Sequence, residues 1–359
     1  MMNLKQCFVF TLLLPLLLVV GVRAQTYSVA DLGLLPGDTA SWSIYLNSSG
    51  QVTGCSDTSN SQSTVCNWAD AGTAFVWSST GGMQNLGTLP GDNFSVGFFI
   101  TDSGKVVGSS WNLQTQTGHG FLWTQSGGIT DLGTLPGGSS YSDADQITSK
   151  GVIVGESAVS NGDVHAVLWT PSGSTYQIHD EGTLPGAPYS YPYSINNSNE
   201  VVGVAYFNAA GTIFHAFSWS KAAGWKDLGT LPGGKTSIAD WINDSGLIVG
   251  QSTSSQFPSG VATFWQSGRI HAIGTLPGGT SSFAGYASDT GEVVGESTLS
   301  TGVSHAFIWS KANGMQDLNN LISSGSGWVL NHASAMNSAG QIVGFGTVNG
   351  AVHAFLLTP

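Results

Sequence analysis

Along most of the chain, short runs of alternating apolar and polar residues are separated by turns that contain glycine. An alternation with a period of two predicts β-strands, and the 3.6-residue period of an amphipathic helix does not occur. Three marks recur in constant order: Leu-Gly-x-Leu-Pro-Gly, Val-Val-Gly and His-Ala-Phe-x-Trp, each with close variants. The glycine of the second mark stands at Gly54, Gly108, Gly155, Gly203, Gly250, Gly295 and Gly344. Its spacing of 45 to 54 residues is typical of a four-stranded blade of a β-propeller.

Each repeat divides into four predicted strands. The first strand ends at an isoleucine such as Ile147 or Ile242, and a hairpin turn such as Asn243–Gly246 follows. The glycine that ends this turn supplies a left-handed residue, and Asn199, the next most tolerant residue type, takes its place once. The second strand is Val-Val-Gly and the third is His-Ala-Phe-x-Trp. A second turn that contains glycine then leads to the fourth strand.

The two ends of the chain predict how the repeats close on themselves. The last repeat stops at its third strand, His353–Leu357, and lacks a fourth. The N-terminal segment Tyr27–Gly33 matches the fourth strand Gly314–Leu318 of the preceding repeat. We therefore predict an all-β, seven-bladed β-propeller with four-stranded blades, closed by an N-terminal strand that completes the last blade and covers its edge. An open solenoid is the alternative, but it would not need the first strand to complete the last repeat.

The repeat also resembles a known family. The His-Ala-Phe triplet stands at 215–217, 305–307 and 353–355, is varied at 119–121 and 165–167, and is lost at 261–263. Together with the glycines, Leu-Pro-Gly and Trp, this pattern resembles the HAF family of extracellular repeats over nearly all of residues 25–359. The resemblance implies an exported bacterial protein. It implies no defined reaction and therefore no catalytic residues.

The start of the chain has the pattern of a secretory signal peptide. Lys5 precedes the apolar run Phe8–Val20, and Val22–Ala24 provides a small-x-small cleavage site. A membrane anchor is the alternative, but the run is short for a membrane span. We predict a signal peptide at residues 1–24, a single propeller domain at residues 25–359, export to the extracellular space or the periplasm, and no membrane span after cleavage.

Composition narrows the choice of partners. The chain has a net charge of −12 with only 9 Lys and Arg, so its surface should repel phosphate backbones and we expect no nucleic acid. Its hydrophobic fraction of 41% is enough for a packed core. We also expect the protein to be a monomer. After cleavage, Cys55 and Cys66 are the remaining cysteines. An isolated pair in an exported chain predicts a disulfide, with two free thiols as the alternative.

The repeated histidines and aspartates are poor candidates for a metal or catalytic site. Histidine occupies one position of the third strand in five repeats, at His119, His165, His215, His305 and His353. Equivalent positions around a large ring cannot converge on one metal ion, so we predict a structural role in which each imidazole bonds to neighbouring backbone. The same reasoning applies to the repeated aspartates of the fourth strand. Since no catalytic, phosphate-binding or calcium-binding motif occurs, we predict no metal, no cofactor and no catalytic residue.

Positions that depart from the repeat are better candidates for a site. A position that serves the fold should be alike in every blade. One position of the first strand, which should line the channel, instead reads Tyr45, Phe99, Gln146, Ser194, Trp241, Tyr286 and Ala335. The loops on one face also vary in length and are rich in aromatic residues. We predict that a ligand at this channel mouth contacts Tyr45, Phe99, Gln146, Trp241 and Tyr286; the alternative is that these rings only plug the channel.

Two functions fit such a site. The first is a binding module for a glycan or a protein, because aromatic rings stack on sugar faces and anchor protein partners. The second is a carbohydrate-active enzyme, a hydrolase or lyase. In that case Asp145 and Asp240, with Asp143 nearby, would supply the pair of carboxyl groups that glycoside hydrolysis needs. The alternative for these acids is solvated charge at the rim, and we favour the binding module.

Overall fold

The computed structural model describes residues 26–58, 66, 72–138, 141–208 and 210–359 of the 359-residue chain. The predicted signal peptide at residues 1–24 lies outside the described residues. The described chain consists of β-strands joined by turns, with one 3-10 helix at Leu318–Asn320. The all-β prediction is therefore confirmed.

The strands form antiparallel sheets in chain order, after a first strand β1 at Ser28–Asp31. One four-stranded sheet contains β2 (Ala40–Leu46), β3 (Val52–Asp57), β4 (Thr73–Ser78) and β5 (Gly82–Gly87). The next contains β6 (Phe94–Ile100), β7 (Val106–Asn112), β8 (Thr117–Thr124) and β9 (Gly128–Asp131). Two later sheets repeat this arrangement. They contain β18 (Ser237–Ile242), β19 (Ile248–Ser252), β20 (Val261–Gln266) and β21 (Arg269–Gly274), and β22 (Ser282–Ala287), β23 (Val293–Thr298), β24 (Ser304–Ser310) and β25 (Gly314–Asp317).

The middle of the chain forms one eight-stranded sheet from two four-stranded units. The first unit contains β10 (Ser142–Ile147), β11 (Ile153–Ala158), β12 (Val164–Ser172) and β13 (Thr175–Gly182). The second contains β14 (Tyr189–Ile195), β15 (Val201–Tyr206), β16 (Phe214–Ser220) and β17 (Gly224–Gly229). A single parallel pair, Val164 opposite Tyr189, joins the two units.

The N-terminal strand completes the last sheet, as predicted. This sheet contains β26 (Trp328–Met336), β27 (Ile342–Val348) and β28 (Ala351–Thr358), and its strand order is β1-β28-β27-β26. β1 pairs antiparallel with β28, with Val29 opposite Leu357. The backbone N–H of Leu32 also donates to the carbonyl oxygen of Ala354 at 3.0 Å. The outer edge of β28 is therefore covered by the other end of the chain.

The core lies between neighbouring sheets, because each sheet buries one face against the next. The phenylalanine of the His-Ala-Phe mark is fully buried in five sheets, as Phe75, Phe121, Phe217, Phe307 and Phe355. In one cluster, Leu86 and Leu89 pack with Ile100, Phe121 and Trp123 of the following sheet. The repeated apolar residues are thus the contacts between sheets.

We call the strand that begins each repeat its first strand; in chain order these are β2, β6, β10, β14, β18, β22 and β26. Each first strand carries a β-bulge, where its register against the second strand of the repeat shifts by one residue. We call the extra residue the bulge residue; in chain order these are Ile44, Phe98, Asp145, Tyr193, Asp240, Gly285 and Ser334. At this level the two backbones approach closely. A Cβ at Gly155 would lie 2.0 Å from the carbonyl oxygen of Asp143, and one at Gly250 would lie 2.0 Å from that of Ile238. The repeated glycine is therefore required by the bulge.

The hairpin turns after the first strands are fixed by their own side chains. Asn243 Oδ1 accepts hydrogen bonds from the backbone N–H groups of Ser245 and Leu247, at 3.1 and 2.8 Å. Its Nδ2 donates to the carbonyl oxygen of Ser288 in the next sheet at 2.8 Å, so the same residue also links two sheets. Asn199 has a φ of 58°, which confirms that it replaces glycine at the left-handed position of its turn.

The repeated histidines have a partner that differs from the prediction. In five repeats the Nδ1 of this histidine lies 2.7 to 2.9 Å from the aspartate of the fourth strand, in the pairs His119–Asp131, His165–Asp180, His215–Asp227, His305–Asp317 and His353–Asp31. The prediction that each imidazole bonds to backbone was therefore wrong. Asp131 also accepts the backbone N–H of Gly133 at 2.7 Å, so each pair ties the third strand to the fourth strand and the turn that follows. The His353–Asp31 pair does this between the two ends of the chain.

Candidate functional site

The first strands enclose a central channel. Each first strand contacts the first strand of the next sheet, and β2 contacts β26. All seven bulge residues line one cavity of about 700 Å³ at one end of this channel. We call it the loop-side cavity, because Cys66 of the loop between β3 and β4 also lines it. The bulge thus places one extra residue of every first strand at the same cavity.

The four predicted aromatic residues meet in the middle of the channel. The ring centroids of Tyr45 and Phe99 lie 4.1 Å apart, those of Tyr45 and Trp241 lie 5.4 Å apart, and those of Trp241 and Tyr286 lie 4.7 Å apart. We call these four residues the aromatic partition. They line the loop-side cavity and also a second cavity of about 910 Å³, bounded by the hairpin turns at the other end. The rings therefore pack against one another and also form the floor of the loop-side cavity.

Gln146 lies at the same level as the aromatic partition but has a different contact. Its Oε1 accepts the backbone N–H of Ile195 in the neighbouring first strand at 2.9 Å. Ser194 makes the same kind of contact in the next repeat, where its Oγ accepts the backbone N–H of Ile242 at 3.2 Å. Gln146 is buried, lines the cavity and links two first strands.

One side of the loop-side cavity is strongly acidic. We call Asp143, Asp145 and Glu156 the acidic wall; all three line the cavity, and Asp143 and Glu156 are 8% and 4% exposed. The hydroxyl of Tyr141 donates to Glu156 Oε1 at 2.7 Å and approaches Asp143 Oδ2 at 3.3 Å. Asp143 also accepts hydrogen bonds from the Ser109 hydroxyl and, at 3.3 Å, from Trp111 Nε1. The acidic wall is therefore built by two adjacent strands, β10 and β11. Its hydrogen-bond donors are Tyr141, Ser109 and Trp111.

Burial changes the protonation of these groups. Removal from water raises the pKa of Asp143, Asp145 and Glu156, and the negative charges of neighbouring carboxylates raise those of Asp145 and Glu156 further. Burial also raises the pKa of Asp240 to about 7, although His332 favours its charged form. Carboxyl groups that hold a proton near neutral pH are typical of functional sites.

The structure brings the two predicted acids together and adds residues that the sequence analysis missed. Asp145 and Asp240, from β10 and β18, line the same cavity. Glu156, Glu296 and His332 line it as well, with His332 Nδ1 3.4 Å from Glu296 Oε2. Both glutamates directly follow the repeated glycine, at a position that reads Cys55, Ser109, Glu156, Val204, Gln251, Glu296 and Phe345. Glu156 and Glu296 could have been identified in the sequence from this departure from the repeat.

The cavity contains acceptors in excess of donors. Among the described residues that line it there is no Lys or Arg. The described ranges also contain no group of three His, Cys, Asp or Glu side chains arranged to hold a metal ion. The polar side of the cavity is therefore suited to a ligand that donates hydrogen bonds.

The predicted disulfide between Cys55 and Cys66 is confirmed, with 6.2 Å between the two Cα atoms. Cys55 occupies the position that Glu156 and Glu296 occupy in their sheets, and Cys66 lines the loop-side cavity. The bond therefore fixes one point of a long loop at the cavity. In the part of the chain that the structure describes, no helix is long and apolar enough to cross a membrane.

The chain resembles solved structures of β-propeller proteins. Virginiamycin B lyase from Staphylococcus aureus matches with a TM-score of 0.56 and 13% identity, over 93% of this chain and 99% of the lyase chain. A puromycin-hydrolyzing peptidase from Mycobacterium tuberculosis matches with a TM-score of 0.56 and 12% identity, over 92% of this chain and 56% of the peptidase chain. No protein-family model matches the sequence, and no curated protein is significantly similar to it. At these identities the likeness shows the β-propeller fold alone.

Proposed function

We propose that this chain is an exported, seven-bladed propeller of the HAF repeat type that binds a glycan in the loop-side cavity. Seven blades are supported by the contacts of seven first strands around one channel, including the contact of β26 with β2. Two of the blades would share the eight-stranded sheet, which a single pair of residues joins. Export is supported by the pattern of the first 24 residues and by the Cys55–Cys66 disulfide, which is typical of oxidising compartments.

The observation that carries the binding function is the set of bulge residues. The fold repeats the bulge in every first strand, but the residues placed there share no chemistry: they include apolar, aromatic, acidic and small side chains. A position that only stabilised the blades would be alike in each of them. All seven bulge residues line one concave cavity whose volume lies in the range of small-molecule sites.

A glycan fits the chemistry of this lining better than an apolar ligand. Aromatic residues that are only partly buried line the cavity, including Tyr191, Tyr193 and Phe283, and they can stack on the faces of sugar rings. Carboxyl groups accept hydrogen bonds from sugar hydroxyls. The cavity therefore combines flat apolar surfaces with acceptors, and the aromatic partition closes its floor.

A glycan array followed by calorimetry of the best ligand tests this function. Tyr193→Ala removes a ring of the loop-side cavity and should weaken binding by about tenfold, since loss of a ring contact in a binding site typically costs more than about 1 kcal/mol. Tyr176→Ala is the matched control, because Tyr176 lines the cavity at the other end of the channel. An array without ligands would overturn glycan binding in favour of a protein partner. If ligand binding were weakened by Tyr176→Ala and not by Tyr193→Ala, the ligand would bind at the opposite end of the channel, and the proposed site would be wrong.

A carbohydrate-active enzyme is the second candidate, and the acidic wall favours it. Asp145 and Glu156 lie within hydrogen-bonding reach of each other, and burial raises the pKa of both. A carboxyl group that remains protonated near neutral pH can act as a general acid on a glycosidic bond. Release of new sugar ends from the bound glycan, abolished by Asp145→Asn, would support this function. If the glycan is bound but not cleaved over a long incubation, the enzyme is ruled out in favour of the binding module.

A further inference from the structure

Two oxygens of the acidic wall are reached by no hydroxyl or N–H donor of the described residues. Asp145 Oδ2 and Glu156 Oε2 are buried, and at these oxygens the two carboxyl groups can bond only to each other, which requires one of them to stay protonated. Glu156 is 4% exposed and lines the loop-side cavity. Its other oxygen already accepts the hydroxyl of Tyr141 at 2.7 Å, which orients the carboxyl group. A buried acceptor without a donor is costly, so these oxygens indicate a bonding partner that enters from the cavity.

The missing partner should carry positive charge. The cavity lining includes Asp143, Asp240 and Glu296 in addition to Asp145 and Glu156, but its one basic side chain among the described residues is His332, with no Lys or Arg. Burial of several ionised carboxyl groups beside a single histidine is unfavourable, and burial raises the pKa values of Asp145, Glu156 and Asp240. An anion or a neutral hydroxyl would leave these groups protonated, whereas a bound cation would favour their ionised form. An ammonium group brings one positive charge and three donors.

The rest of the cavity indicates what the ammonium group is attached to. Tyr191 and Tyr193 stand on β14, next to β10, and Trp42 and Phe283 line the same space. A cavity of about 700 Å³ encloses a whole small molecule rather than one amino-acid side chain. Aromatic faces bind the carbon skeleton of a sugar ring and also attract a nearby cation.

We propose that the loop-side cavity binds a glycan with free amino groups and holds an ammonium group of the amino sugar against Glu156 and Asp145. This inference rests on the proposed glycan-binding function and names the class of glycan. The ammonium group donates to Asp145 Oδ2 and Glu156 Oε2, and the aromatic residues hold the sugar ring.

Calorimetry with two matched tetrasaccharides tests the proposal. One is the β-1,4-linked tetramer of glucosamine, and the other is the same tetramer fully N-acetylated, which has the same skeleton without the positive charge. At physiological salt, where long-range attraction to an acidic surface is screened, we expect the amino tetramer to bind at least ten times more tightly. Glu156→Gln keeps the shape of the side chain and should remove this preference. Glu181→Gln changes the charge equally on β13, away from the cavity, and should preserve it.

Each alternative result has a distinct meaning. Equal affinity for the two tetramers would overturn amino-group recognition while leaving glycan binding intact. Binding of neither tetramer would also overturn it, and the glycan array would then decide the proposed function separately. Equal or tighter binding of a tetralysine peptide, with the same dependence on Glu156, would overturn the sugar in favour of a protein amine. If Glu156→Gln does not fold, as judged by circular dichroism, Asp145→Asn replaces it, because Asp145 supplies the other unmet oxygen.

Discussion

The repeated glycine of the second strand can be tested at Gly250, where Gly250→Ala adds one methyl group at the bulge of β18. This Cβ would lie 2.0 Å from the carbonyl oxygen of Ile238, 2.9 Å from its carbonyl carbon and 3.1 Å from the Cα of Ala239. Ordinary van der Waals contact begins near 3.4 Å. All three neighbours are backbone atoms, so no flexible side chain can move aside, and the two strands must separate.

The expected cost follows from this geometry. Overpacking a well-packed interior typically costs about 1–3 kcal/mol, and a contact with paired backbone lies at the upper end of that range. We therefore expect Gly250→Ala to lower the free energy of unfolding by about 3 kcal/mol. For a chain of this length the thermal midpoint should fall by about 4 °C, because the entropy of unfolding grows with the number of residues. The strand that must move carries Asp240, so ligand binding should weaken as well.

Scanning calorimetry and urea unfolding of wild type and variant measure the effect. Gly325→Ala is the matched control, because a Cβ at Gly325 meets no atom within 4 Å and its φ lies outside the left-handed region. We expect this control to change stability by no more than about 0.5 kcal/mol. If Gly250→Ala unfolds at the same midpoint as Gly325→Ala, the close approach at the bulge does not explain the repeated glycine.

Three further changes test other parts of the structure. Cys66→Ser opens the disulfide and should lower the free energy of unfolding by about 3 kcal/mol in the chain-entropy model, measured as the urea midpoint; an equal loss in wild type on adding reductant is the check. Deletion of residues 25–33 removes β1 and exposes the edge of β28, so the thermal midpoint should fall markedly, and an unchanged midpoint would contradict the role of β1 in closure. Burial raises the pKa of Asp240 from 3.8 to about 7, so the stability that its neutral form contributes is complete below about pH 4 and is lost as the pH rises to about 7. Wild type should therefore lose stability relative to Asp240→Asn across that window, and parallel pH profiles of the two proteins would show that Asp240 is solvated.

Much of the fold could be predicted because the residues of the repeat are required by local structure, such as strands and tight turns. Alternating side chains, glycine at left-handed turns and the unmatched strand at each end predict strand order and closure, since these depend on neighbouring residues and on the completeness of each sheet. The partner of the repeated histidine could not be predicted in the same way. His119 and Asp131 stand twelve residues apart, and only the pairing of β8 with β9 places them at 2.9 Å. Both residues were recognised as structural, but not as partners.

Sequence patterns were enough to predict the β-strands, their number in each repeat, the pairing of the two chain ends and the cysteine pair, because each follows from a pattern within one repeat or from a count. The sequence also indicated Asp145 and Asp240 as carboxyl groups of the first strands that could face each other at the channel mouth. The three-dimensional arrangement was needed to show that these acids share a cavity with Glu156 and that the predicted aromatic residues pack against one another beneath it. The physical reason is the bulge. It adds one residue to each first strand, which interrupts the alternation on which sequence patterns depend, and the extra residues of seven distant segments then meet at one cavity.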